Sequence, residues 1–174
     1  MKYMRYIFAT LMFFASLTVC AAGLVGRAAP VFSVPKSNGE RLDLTRLRGK
    51  LIYLDFWASW CGPCRKSFPW MQEMHNRYAE QGLEVVTINL DQKVADRDRF
   101  LSKLGFAPTF AVGLDPEGKV AEAYNVMGMP SSYIIDAKGI TRLEHVGFRE
   151  ESAATIELAI KAAVGAMQCQ EKPC

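Results

Sequence analysis

Apolar and polar positions along the chain alternate between two periods. Leu51 to Trp57 is an almost unbroken apolar run bounded by Lys50 and Ser59, the pattern of a central strand covered on both faces. Glu84 to Leu90, rich in Val and Ile, reads as a second buried strand. Between them, from Cys64 onward, Phe68, Met71, Met74 or His75, and Tyr78 recur at helical spacing until Gln81-Gly82 ends the helix. Val94 to Leu104 places Phe100, Leu101 and Leu104 on one face of a helix that Gly105 closes. A short strand at Thr109 to Val112, a turn at Asp115-Pro116-Glu117-Gly118 and a helical stretch through Tyr124 follow. Ser132 to Ile135 and Ile140 to Val146, joined through Asp136-Ala137-Lys138-Gly139, predict a hairpin. Glu150 to Val164 is the last helix, with Ile156, Ala159, Ile160, Ala163 and Met167 on one side and acids at its N-terminus. Ahead of these elements, residues 23–50 mix small apolar and turn residues, which predicts a leading strand and a hairpin around Asn38-Gly39. Strands alternating with helices and closing on an antiparallel hairpin predict an α/β fold, a mixed sheet flanked by helices.

The first 22 residues stand apart from this pattern. Lys2 and Arg5 precede an uncharged apolar run from Ile7 to Val19, followed by small residues, as in a secretory signal cleaved near Ala21 or Ala22. Thirteen apolar residues fall short of the roughly 20 that span a bilayer. Two alternatives stay open: an uncleaved anchor extending to Leu24 and Val25, or a lipoprotein acylated at Cys20, since Leu17-Thr18-Val19-Cys20 resembles a lipobox with a bulky Val19. The domain expectation is therefore a signal over 1–22, one domain over 23–167 and a tail over 168–174 carrying a cysteine pair. The 174 residues are half hydrophobic and 22% charged, which excludes disorder, collagen and a coiled-coil rod. Loss of two cations with the signal lowers the net charge from +3 to +1, and no basic stripe argues for nucleic acid.

Export also changes the reading of the cysteines. Four remain, Cys61, Cys64, Cys169 and Cys174, in a compartment that permits disulfides. Of three pairings, the simplest joins Cys61 to Cys64 and Cys169 to Cys174. Cys61-Gly62-Pro63-Cys64 lies where a buried strand hands over to a helix, the context of a redox dithiol. Gly62 and Pro63 allow a tight turn that sets Cys61 at the helix N-terminus, where unpaired N–H groups and the dipole favour a thiolate. Lowering its pKa from about 8.5 to about 7 requires roughly 2 kcal/mol. A buried staple needs no such spacing at a helix tip. A zinc site needs further ligands, for which His75, His145 and the distant cysteine pair are the available residues.

Asp55-Phe56-Trp57-Ala58-Ser59-Trp60-Cys61-Gly62-Pro63-Cys64 resembles the active-site stretch of thioredoxins. With the N-terminal β-hairpin, a central insertion between the strands near Leu90 and Thr109, and Gly128-Met129-Pro130-Ser131-Ser132-Tyr133-Ile134-Ile135-Asp136, about residues 28–165 resemble the exported TlpA/ResA branch of that superfamily. The resemblance implies that Pro130 is a cis-proline facing the dithiol, with Met129 before it on the docking edge. It places Pro69 where family members kink the active-site helix, and a proline there frees the carbonyl of Arg65. Trp60, by its adjacency to the dithiol, is expected to form part of a docking surface with Gly62 and Pro63; simple packing is the alternative for Trp60.

Two positions depart from that branch. Exported members commonly carry Asn where Asp55 stands, and Glu where this chain has Ser67, so the acid expected near the dithiol has moved from helix to strand. Asp55 shares a strand face with Leu51, Tyr53 and Trp57, which should desolvate it and raise its pKa towards that of a useful base; pairing with a lysine is the alternative. His145 reads as a packed strand residue. Cys169 and Cys174, with Pro173 between them, read as a minor structural disulfide in a polar tail, with a second redox centre as the alternative.

These residues predict an exported thiol:disulfide oxidoreductase with Cys61 as nucleophile, Cys64 as resolving thiol and Asp55 as base. No cofactor or metal is implied. The expected partners are protein thiols and disulfides and a membrane electron donor of the DsbD/CcdA type, with the protein itself a monomer. Gly62-Pro63 matches thioredoxin, whose potential is about −270 mV against about −120 mV for DsbA, so reduction is the expected direction; cytochrome c maturation is the commonest role of the branch. Two rival classes remain. A thiol peroxidase of the peroxiredoxin kind would have Thr or Ser three residues before its cysteine and Pro four further upstream, where Ala58 and Leu54 stand. A copper-binding or holding module would use Met127, Met129 and the dithiol as soft ligands.

Overall fold

The computed structural model describes residues 23–171. Residues 1–22, with the signal and Cys20, and residues 172–174, with Cys174, lie outside the described residues. Among those described, no helix is long and apolar enough to cross a membrane.

The chain opens with a small antiparallel hairpin, β1 (Ser33–Pro35) and β2 (Arg41–Asp43), turning at Gly39 with φ +82°. The main sheet then builds from β3 (Leu51–Trp57), helix α1 (Gly62–Tyr78) and β4 (Leu83–Asn89), with β3 and β4 parallel. Helix α2 (Val94–Ser102) leads to β5 (Ala111–Leu114), which pairs parallel with β4 at the sheet edge. Helix α3 (Lys119–Ala123), the hairpin of β6 (Ser131–Ile135) and β7 (Thr141–Val146), and α4 (Glu150–Glu171) complete the order. The five strands run β5-β4-β3-β6-β7, with β6 antiparallel to both of its neighbours, β3 and β7. The segment between β4 and β5 thus carries α2 and leads to an edge strand, and β3 lies at the centre.

Because successive strand side chains point to opposite faces, β3 divides the interior in two. Leu51, Tyr53 and Trp57 join α1, α2 and α4 in one cluster with both Cys61 and Cys64. Ile52, Leu54 and Phe56 face the opposite cluster, with Val34 and Leu42 of the N-terminal hairpin and Val120, Ala121 and Tyr124 from α3 and its end. The mixed sheet flanked by helices is the fold class expected.

Several boundaries differ from expectation, and three of them have a visible cause. β5 begins at Ala111 and not Thr109, because the side chain of Gln72 on α1 occupies Thr109: its Nε2 donates to Thr109 Oγ1 at 2.7 Å and its Oε1 accepts from Thr109 N at 3.0 Å. β7 begins one residue later than predicted, since Ile140 pairs with Ala28. The last helix continues to Glu171, beyond Val164, so Cys169 sits on α4 and not in a tail loop. It runs through Gly165, and Met167 beyond that point packs against the first cluster and reaches the tight turn at Gly82.

Candidate active site

At the C-terminal end of β3 the backbone turns through Ala58 to Trp60, and Cys61 N closes the turn on Ala58 O at 3.1 Å. Cys61 is the N-cap of α1: its backbone is extended (φ −79°, ψ 106°) and its sulfur accepts from Cys64 N at 3.2 Å. Pro63, in the first turn, brings no N–H to a place where it would lack a partner. The two sulfurs form a disulfide, with the Cα atoms 5.3 Å apart. Cys61 keeps 5% of its surface exposed and Cys64 none, so an incoming sulfur meets Cys61 first. Once reduced, Cys61 Sγ faces the free N–H groups of a 17-residue helix, which stabilises negative charge there.

The turn before Cys61 is fastened from β4. Asp91 accepts from Ser59 N at 2.9 Å, from Ser59 Oγ at 2.9 Å and from Asn89 Nδ2 at 2.8 Å. This clamp is absent from the sequence reading, since it joins residues 32 apart through the parallel register of β3 and β4; a polar Asn-x-Asp at a strand end was the available signal.

Asp55 lies in the middle of β3, opposite Ser132 on β6 and Thr87 on β4. It is 1% exposed, and neither carboxylate oxygen has a hydrogen-bond partner. Burial pushes its carboxyl well above the usual carboxylate range. The strand alternation puts it on the face that carries Tyr53, Trp57 and the dithiol. The Tyr53 phenol is pushed up, first by burial and then by the Asp55 charge. Ser67, where the resemblance would have placed an acid, is fully buried and donates from Oγ to Cys64 O at 3.1 Å. Asp55 is thus a buried carboxyl with neither oxygen committed to a hydrogen bond, in the layer that holds Cys61 and Cys64.

The third wall is the loop before β6. Met129-Pro130 is cis, and two bonds brace it: Ser131 Oγ donates to Gly128 O, and Gly147 N to Pro130 O, each at 2.7 Å. Met129 packs against the cluster of the dithiol, whereas Met127 and Trp60 are 85% and 74% exposed. Gly62 and Pro63 are exposed on the first turn of α1. Pro69 lies inside α1, as expected. His145 is half-buried on β7, opposite Ser132. Cys169 is disulfide-bonded; the predicted pairing with Cys174 involves a residue outside those described. Among the described residues no three His, Cys, Asp or Glu side chains are grouped to hold a metal ion.

A sequence profile of the AhpC/TSA family matches residues 25–143. The thiol-disulfide oxidoreductase ResA of Bacillus subtilis (strain 168) is 35% identical over 114 residues, covering 66% of this chain and 63% of ResA. The ResA of Geobacillus kaustophilus (strain HTA426) is 34% identical over 127 residues, 73% of this chain and 70% of the relative. The chain therefore spans somewhat less than two thirds of the Bacillus relative's length. A crystal structure from Chlorobium tepidum, described as a thiol:disulfide interchange protein DsbE, superposes with a TM-score of 0.78 at 43% identity, covering 82% of this chain and 99% of that one.

Proposed function

The chain belongs to the thioredoxin-like AhpC/TSA family, and from that premise we propose that it is a thiol:disulfide oxidoreductase of the ResA/DsbE type that reduces protein disulfides outside the cytoplasm. The observation that carries the reading is the Cys61–Cys64 pair at the N-terminus of α1, in one layer with the unpartnered carboxyl of Asp55.

In the reduced protein the Cys61 thiolate attacks one sulfur of the substrate disulfide. A mixed disulfide forms and the other substrate sulfur leaves as a thiolate, which takes a proton from water. Asp55 accepts the proton of Cys64, whose thiolate then attacks Cys61 Sγ and expels the remaining substrate sulfur. Two electrons pass to the substrate and the protein is left with the Cys61–Cys64 disulfide. Exposed Trp60, Gly62 and Pro63 and the braced Met129-Pro130 loop form the surface on which the substrate backbone rests. Re-reduction requires a dithiol donor, and a membrane thiol transporter of the DsbD/CcdA type supplies one across the membrane. Cytochrome c maturation is the first pathway in which to seek substrates. Export rests on the N-terminal signal pattern, with cleavage near Ala21 or Ala22.

Reduction is favoured over oxidation by Gly62-Pro63, which offers no cationic side chain to hold a strongly depressed thiolate, and by Asp55, whose charge opposes one. Peroxide reduction fits less well: Ala58 is fully buried without a hydroxyl, and Leu54 points to the opposite face of the sheet. Equilibration of the dithiol against glutathione, read by mass after alkylation, tests the direction. The expected potential lies near that of thioredoxin, about −270 mV, and a value above about −180 mV, typical of disulfide isomerase, reverses it.

A further inference from the structure

Beside the first turn of α1 the surface opens into a cavity of about 190 Å³ lined by Ser59, Arg65, Asp96, Arg99, Phe100 and Lys103. Its position ties it to the dithiol: Ser59 stands two residues before Cys61, and Arg65 directly follows Cys64. Its floor is Phe100, buried in the same cluster as both cysteines. The Arg65 guanidinium lies 5.0 Å from the centre of that ring, an arrangement that orders the cation while leaving its edge free for an anion.

Three cations here face one acid, and that acid is taken by one of them. Arg99 Nη1 meets Asp96 at 2.9 Å, while Arg65 and Lys103 have no carboxylate partner among the described residues. The other acids of this face are engaged elsewhere: Asp91 holds Ser59 and Asn89, and Asp98 holds Arg97. The cavity therefore keeps uncompensated positive charge at the edge of the site where the substrate sulfur must arrive. Arg65 and Arg99 suit carboxylates in particular, because a planar guanidinium can bind both oxygens at once.

We infer that Arg65, Arg99 and Lys103 form a docking site for acidic residues flanking the disulfide of a protein substrate, so that the protein selects anionic polypeptides. This rests on the disulfide-exchange reading above. Exposed ion pairs add little affinity one by one, so the selection acts through encounter: the cations draw an acidic segment to the mouth of the site and set its direction across α1.

The test compares two cystine peptides of equal length, one flanked by Asp and Glu and the other by Ser and Gly, reduced by the full chain. At about 0.01 M salt the acidic peptide should show a kcat/KM about tenfold higher, and at about 1 M, where screening extends to about 3 Å, the ratio should approach one. In Arg99→Glu/Lys103→Glu the ratio should invert, with the Ser- and Gly-flanked peptide preferred over the acidic one. Because each ratio is taken within one protein, a general loss of activity cannot mimic the result. Equal rates for the two peptides at low salt, or a preference that survives the charge reversal, overturn the docking site while leaving disulfide exchange standing. If neither peptide is reduced, both readings fall. Salt-sensitive binding to anionic vesicles without any peptide preference would assign the cations to a membrane surface, and also overturns the proposal.

Discussion

On one face of β3, Ile52, Leu54 and Phe56 point into a core whose phenols are all served. Tyr124 donates to Pro30 O at 2.9 Å and Tyr133 to Tyr124 O at 2.7 Å, and their rings pack edge to face with centres 5.0 Å apart. On the other face the same strand presents Asp55 and Trp57, and there neither carboxylate oxygen nor the indole Nε1 finds a partner. The two phenols on one face are satisfied, whereas the carboxyl and the indole that β3 turns to the other face are left open. An unpaired buried carboxyl costs stability. Its place in the same layer as the dithiol is what the proposed proton transfer rests on, while the Tyr124 and Tyr133 bonds of the opposite face tie chain segments together.

The contrast can be broken first at the cysteines. Cys61→Ala should abolish disulfide reduction and trap no partner, whereas Cys64→Ala should accumulate mixed disulfides with substrates, read on non-reducing gels. Trapping by Cys61→Ala and none by Cys64→Ala would exchange the two roles and remove the reason for the orphan carboxyl on this face.

A smaller effect follows from Asp55 itself. In an unfolded chain an aspartate loses its proton near pH 3.9; in the folded protein burial lets Asp55 keep it to a higher pH. Between those two values the folded state binds the extra proton, so this residue's contribution makes stability fall as pH rises, and the full penalty is present above the folded-state value. Asp55→Asn should therefore raise stability at neutral pH by about 1–3 kcal/mol and give a flatter pH profile by urea denaturation. Lower stability of Asp55→Asn at pH 7 would mean that the carboxylate is held by a partner after all.

The smallest effect belongs to the opposite face. Tyr124→Phe removes the donor to Pro30 O and should cost about 1 kcal/mol, with no change in the rate of disulfide exchange. A loss of rate comparable to that of an Asp55 variant would erase the division of labour between the faces.

Much of the dithiol face was legible in the sequence because its signals are local. The apolar run of Leu51 to Trp57, the Cys61-Gly62-Pro63-Cys64 turn and the alternation that turns Asp55 inward all lie within 14 residues. The Asp91 clamp on Ser59 was not legible, since it exists only once β3 and β4 are in register. Nor was the start of β5, which depends on Gln72 reaching Thr109 from another element. The cationic cavity also joins two helices, and no spacing in the chain brings Arg65 over Phe100. The helix α4 runs past the expected end at Val164 for another reason: a single glycine, Gly165, costs a helix only about 1 kcal/mol, and Met167 beyond it packs against the first cluster.

The most direct test is the single-turnover rate at which Cys64 resolves a preformed mixed disulfide on Cys61, compared between the native chain and Asp55→Asn from pH 6 to 8. If Asp55 takes the Cys64 proton, Asp55→Asn should be slowed about tenfold or more near neutral pH, within the range of general-base effects of about 10² to 10⁴ or just below it. Equal rates across the interval would contradict the account.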